Sequence, residues 1–277
     1  MARNKARHVR HYESYEAICQ AAKANVDSAQ GNGSRKEARE HCHLLIDDEC
    51  WRGRAWPNEK EFWDSLQRPW EEGVKIFEEL KSSVNLPRPT GRRRKRRWRE
   101  DEGDDVCPDR LNLGQPYWQG MRHVERPGSP IIRIMTDVST SAGRNHSEVL
   151  WRGVTALVLT DRLEEAGFRV QLDAFNHVER GFKDNAGFLV SYNLKQPHMP
   201  LNENLLVNGI AGWFFRTVVF ASYFSADLPT PYGSLGSPRT LRDDDYDQFE
   251  VDLVIDEIFD REGAINVINE TLERFLV

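Results

Sequence analysis

PIIRIMTDVSTSAG (residues 130–143), EVLWRGVTALVLTDRLEEAG (148–167) and FRVQLDAFN (168–176) form the stretch on which the fold is read. Ile131, Ile132, Ile134 and Met135 make an apolar run interrupted only by Arg133, the pattern of a strand covered on both faces. Leu150, Val154, Leu157, Val158 and Leu163 recur at helical spacing, so a helix is expected over Ser147–Ala166, with Gly167 as its cap. Val170–Phe175 reads as the next buried strand. Strand, helix and strand in this order predict a parallel α/β sheet with a right-handed crossover.

Further along, Gly187–Leu194 alternates as a third strand, and Leu201–Phe224 reads as a helix or helix pair. A Gly/Pro/Ser-rich loop runs from Leu228 to Pro238. Val251–Ile255 is a further strand and Glu262–Leu276 a closing helix. The fold class expected is α/β: a Rossmann-like, mostly parallel sheet over 127–277, with helices on both faces.

Upstream, residues 1–85 read as a mainly helical region. Tyr15, Ile18, Cys19, Ala22 and Val26 share one helix face, and Ser34 is a candidate cap for a helix from Lys36. Glu59–Leu80 is a third candidate that Pro69 should break. The tryptophans at 51, 56, 63 and 70 are expected to pack this layer against the main domain, because aromatic side chains dominate small cores. Residues 86–126 read as a charged linker, in which RRRKRRWR (92–99) meets EDEGDD (100–105).

Composition narrows the function classes. The chain has 277 residues, 30% of them charged, and a formal net charge of −6, which does not suit global nucleic-acid binding. No apolar run is long enough to span a bilayer, so no membrane partner is expected. The N-terminus lacks the apolar core of a secretory signal. The four cysteines show no disulfide-framework spacing, which points to a reducing cytoplasm.

The chemistry candidates start with Asp137, Ser139 and Ser141, spaced Asp-x-Ser-x-Ser just beyond the carboxyl end of the first main strand. Open α/β sheets place ligands at that edge. One carboxylate and two hydroxyls are hard donors that suit Mg²⁺. The competing reading is an Asx turn that only shapes the loop. His41, Cys42, His43 and Cys50 include zinc-ligand types, but their spacing does not converge and they read as structural. Asp243, Asp244, Asp245 and Asp247 lack an EF-hand register and read as a solvated face. His177 with Glu179, and Glu164 with Glu165, are not selected by spacing. Walker A, GxGxxG and GxSxG sequences are all absent.

Strand, DVSTS, long helix and a second strand ending in AFN resemble the opening of a von Willebrand factor A domain. The resemblance implies that Asp137, Ser139 and Ser141 form the first part of a metal-ion-dependent adhesion site. A complete site of that kind adds a threonine from a later loop and an aspartate after a later strand, usually as Thr-Asp-Gly. That tripeptide is missing here, and Asp252 and Asp256 are the candidate substitutes. The layout is also similar to an uncharacterised family of tailed-phage proteins, through Leu163-Glu164-Glu165-Ala166-Gly167-Phe168-Arg169-Val170.

Two functions are therefore expected. The first is a non-enzymatic protein-interaction module, Mg²⁺-bridged to a partner carboxylate, in a phage accessory or assembly role. The alternative is a protein that binds or processes nucleic acid. It would use Asp137 with Asp252 or Asp256 as metal ligands, and Arg92, Arg93, Arg94, Lys95, Arg96, Arg97, Trp98 and Arg99 as a basic arm.

Overall fold

The computed structural model describes residues 7–28, 53–84, 97–99, 105–106, 108–113, 115–120, 130–139, 141, 144–179, 187–222, 237–241, 246 and 249–276. In chain order these give β1 (Arg7–Tyr12), α1 (Tyr15–Ser28), α2 (Glu59–Ser65), α3 (Glu71–Ser83), β2 (Arg97–Arg99), β3 (Asp105–Val106), α4 (Pro108–Asn112) and β4 (Trp118–Gly120). There follow β5 (Ile131–Asp137), α5 (His146–Ala166), β6 (Arg169–Glu179), β7 (Gly187–Lys195), α6 (Glu203–Gly209) and α7 (Gly212–Ser222). The last elements are β8 (Ser237–Pro238), β9 (Leu253–Ile255) and α8 (Arg261–Leu276).

Met1–Asn85 and Ile131–Val277 form one compact unit, and Leu86–Pro130 forms a second. The first holds a mixed sheet in the order β1-β7-β6-β5-β9, with β8 also pairing with β6. β5 is parallel to both β6 and β9, β1 is parallel to β7, and β7 is antiparallel to β6. The expected α/β sheet is present, with β5 inside it. In the second unit, β2, β4 and β3 make a small antiparallel sheet, so the stretch read as a linker carries paired strands of its own.

Two features correct the sequence reading of the first unit. Residues 1–85, expected as a mainly helical region of their own, belong to the main unit and also supply β1, the edge strand of its sheet, paired from Arg7↔Gly187 to Tyr12↔Tyr192. The helices expected on both faces are also divided unequally, the longer ones lining one face and helical Phe249 packing on the other. The longer helices and the even-numbered positions Ile132, Ile134, Leu172, Ala174, Val190 and Tyr192 share one core cluster. The opposite face carries a smaller cluster of Met135, Phe175, Leu189 and Leu241, against which Phe249, Val251 and Val254 pack. Period-2 alternation sends neighbouring strand residues to these two faces.

The local chemistry of the helices is orthodox. Asn145 caps α5 by accepting from Ser147 N, and Gly167 ends it at φ 101°. Gly167 N donates to Glu164 O and Phe168 N to Leu163 O, a Schellman closure for which glycine bears no Cβ penalty. Pro69 lies between α2 and α3, as its missing N–H requires. Trp56 and Trp70 pack edge-on against Trp213 of α7, with ring centroids 5.3 and 6.1 Å apart. The tryptophans at 56 and 70 therefore belong to the core, whereas Trp51 and the expected helix from Lys36 lie outside the described residues. Phe215–Val219 of α7 form a π-turn. Among the described residues no single helix is long and apolar enough to cross a membrane.

Candidate functional site

Asp137 is the last residue of β5, and the chain turns immediately after it. Its Oδ1 accepts hydrogen bonds from the backbone N–H of Ser139 (2.7 Å) and from the Ser139 hydroxyl. This is the Asx-type turn that the spacing allowed, and it is buried: Asp137 and Ser139 are 5% and 1% exposed. Ser141 is exposed, and its carbonyl accepts from Arg144 N at 3.1 Å. Only two of the three motif residues thus face inward together.

The second oxygen of Asp137 is also occupied. Arg152, from the second turn of α5, donates through Nη1 to Asp137 Oδ2 at 2.9 Å and through Nη2 to the carbonyl of Ser139. The guanidinium is itself buried, at 3% exposure. One planar cation so clamps both the carboxylate and the backbone of the turn, a two-pronged geometry that suits arginine. Burial pushes the Asp137 carboxyl up to about 6, against the pull of Arg152 and of the two Ser139 hydrogen bonds.

The loop after β9 comes to the same place. β5 and β9 pair from Ile134↔Leu253 to Thr136↔Ile255, so Asp256 follows at the level of Asp137. Burial and the neighbouring Glu257 raise the Asp256 carboxyl, and Arg152 opposes them. Its charge also acts on Asp137. Phe259 lies under both arginines, its ring centroid 4.4 Å from the Arg144 guanidinium and 5.7 Å from that of Arg152. Arg216, buried in the π-turn of α7, donates to the carbonyl of Arg144 at 2.8 Å. Four segments converge: the turn after β5, the start of α5, the loop after β9 and α7. Glu257, beside Asp256, has a left-handed φ of 52°, an uncommon conformation for a non-glycine residue.

Asp252 stands apart from this cluster. Its Oδ2 accepts from Arg133 N at 2.8 Å, four residues before Asp137. At ~3.3 Å per strand residue that is roughly 13 Å from the site. The structure thus separates the two later aspartates, with Asp256 at the turn and Asp252 toward the other end of the strand.

The donor set does not fit an octahedral Mg²⁺. Both Asp137 oxygens are engaged within the chain, and a fixed positive charge sits where a second cation would be repelled. Among the described residues no three His, Cys, Asp or Glu side chains converge as metal ligands. Arg92–Arg96, His41–His43, Cys50, Asp243–Asp245 and Asp247 lie outside the described residues. Arg97–Arg99 form β2, and nothing is described of their side chains. His177 is buried, with Nδ1 2.9 Å from the carbonyl of Thr240, and Glu164 pairs with Lys195 at 2.5 Å; neither joins the site.

Arg152 is the residue that sequence reading missed. Its signal was present: a lone cation among Val149, Leu150, Gly153 and Val154, on the face expected to enter the core. A charge at such a position needs a buried partner.

No curated protein and no solved structure matches the chain. A family profile matches residues 2–277, and the chain belongs to that family, described as a domain of unknown function (DUF7192).

Proposed function

We propose that this protein is a non-enzymatic interaction module, with an α/β domain of von Willebrand A type that presents the edge around Asp137 to a protein partner. The observation that carries the reading is the convergence at one sheet edge. The Asp-x-Ser-x-Ser turn follows β5, and Asp256 follows a later strand beside it. That is the arrangement by which the resembled domains build a recognition edge. Ser141, Arg144 and Glu257 are exposed there and available for contact. The resemblance to tailed-phage proteins favours an accessory or assembly role.

Asp137 is held in an ion pair with Arg152, and its other oxygen accepts from the Ser139 hydroxyl, so both groups are engaged in shaping the edge. The test uses the tagged full chain in extract of its native source, with wild type compared with Ser141→Arg and Glu257→Arg. A stoichiometric partner retained by wild type and by Asp252→Ala, but lost with both edge variants, is the expected result. A partner indifferent to the edge variants would overturn the reading. Divalent-dependent cleavage of DNA or RNA abolished by Asp137→Asn would favour the nucleic-acid alternative.

A further inference from the structure

We infer that Arg152 is the resident cation of the Asp-x-Ser-x-Ser turn. Its guanidinium does the charge-balancing work of a divalent ion, excludes one from the wild-type protein, and on removal leaves a vacant divalent-cation site. The inference concerns the chemistry of the turn and does not depend on what binds the edge.

Three observations carry it. First, the guanidinium touches the atoms that a metal would need: Asp137 Oδ2 directly, and the Ser139 carbonyl beside it. Second, the clamp is sealed. Arg152 and Asp137 are both buried, and the hydrogen bonds of the guanidinium go to the turn, with the ring of Phe259 against it. Third, a further carboxylate lies nearby. Asp256 follows β9 in register with Asp137, although it makes no ion pair with Arg152.

Deleting the guanidinium would free Asp137 Oδ2 and the Ser139 carbonyl together. The vacancy would offer the Asp137 carboxylate and a carbonyl, and Asp256, at the same level of the next strand, would complete the set by turning toward them. That is an oxygen-only set of the kind hard divalent cations take. While Arg152 is present, its charge opposes entry of any ion, in a buried setting where like charges repel strongly. Arginine is suited to the role because its planar fork can form two hydrogen bonds at once.

The experiment is a titration of Mn²⁺ alone into the full-length protein, read by loss of the free-ion electron paramagnetic resonance signal. Wild type, Arg152→Ala and Arg152→Ala/Asp137→Asn are compared, with circular dichroism as a check of folding. Wild type should leave the ion free. Arg152→Ala should bind one ion at least about tenfold more tightly, and adding Asp137→Asn should abolish that gain. Equal binding by wild type and Arg152→Ala would overturn the inference, as would a folded Arg152→Ala that binds nothing. Arg152→Gln, closer in volume, replaces Arg152→Ala if the latter does not fold. Should neither fold, wild type and Asp137→Asn decide: Mn²⁺ binding by wild type that Asp137→Asn removes overturns the inference, and a silent titration supports it.

Discussion

Arg152 occupies a position on α5 that an apolar side chain would otherwise fill, between Val149 and Ala156 of the buried face. Removing one member of a buried ion pair leaves the other uncompensated, at a cost of about 3–5 kcal/mol. Arg152→Met should lose about that much stability at pH 7.5, measured by urea unfolding. The loss should shrink below pH 6, because a protonated Asp137 needs no cation. Asp137 also carries a pH signature of its own. Its folded carboxyl is raised from 3.8 to about 6, so the folded state holds the proton more tightly than the unfolded state. The stabilisation is complete below 3.8 and is lost as pH rises through about 6. Wild-type stability should therefore fall across that window relative to Asp137→Asn, in which this contribution is absent. If the two variants show parallel pH profiles, the Asp137 assignment is wrong. At this scale the sequence disclosed half of the site. Asp137 and Ser139 are legible as a turn because they are local. Arg152 is legible only as a cation on a face bound for the core and Asp256 only as one of two candidate aspartates, because their meeting at Asp137 depends on α5 and β9 closing over the same strand end.

The elements divide in the same way. α5 and its caps could be read from periodicity, Asn145 and Gly167, and the break at Pro69 follows from its missing donor. β1 could not. RHVRHY offers only Val9 and Tyr12 as apolar residues, which is how an edge strand with charged flanks hides among surface sequence. α5 also meets α6 closely. A Cβ added at Gly153 would overlap the side chain of Ile210, which caps the end of α6. Gly153→Ala should therefore cost about 1–3 kcal/mol despite alanine's better helix propensity, since overpacking outweighs propensity here. Urea unfolding would check it, and a stabilised variant would show that the two helices have room to part.

For the molecule as a whole, the N-terminal segment is part of the main unit. Phe77 and Leu80 of α3 are fully buried in the same cluster as Ile134 and Val158, and Tyr15 of α1 stacks on Phe214 of α7 at 5.2 Å. A fragment of residues 86–277 would expose those surfaces and lose the edge strand of the sheet. It should show no cooperative thermal transition, whereas the full chain should; a cooperative fragment would mean that the sheet stands without β1, α1 and α3. The four convergent segments of the site depend on this packing, since α7 is held between α1 and the start of α5. If the cation of the turn belongs to the chain itself, Asp137 and Arg152 hold one another, and a double-mutant cycle measures that coupling. Asp137→Asn, Arg152→Met and the double variant would be unfolded in urea at pH 7.5. A coupling of about 0.5–3 kcal/mol is predicted between the two sites. Additivity within about 0.3–0.5 kcal/mol would contradict the account, because it would mean that Asp137 and Arg152 do not hold one another.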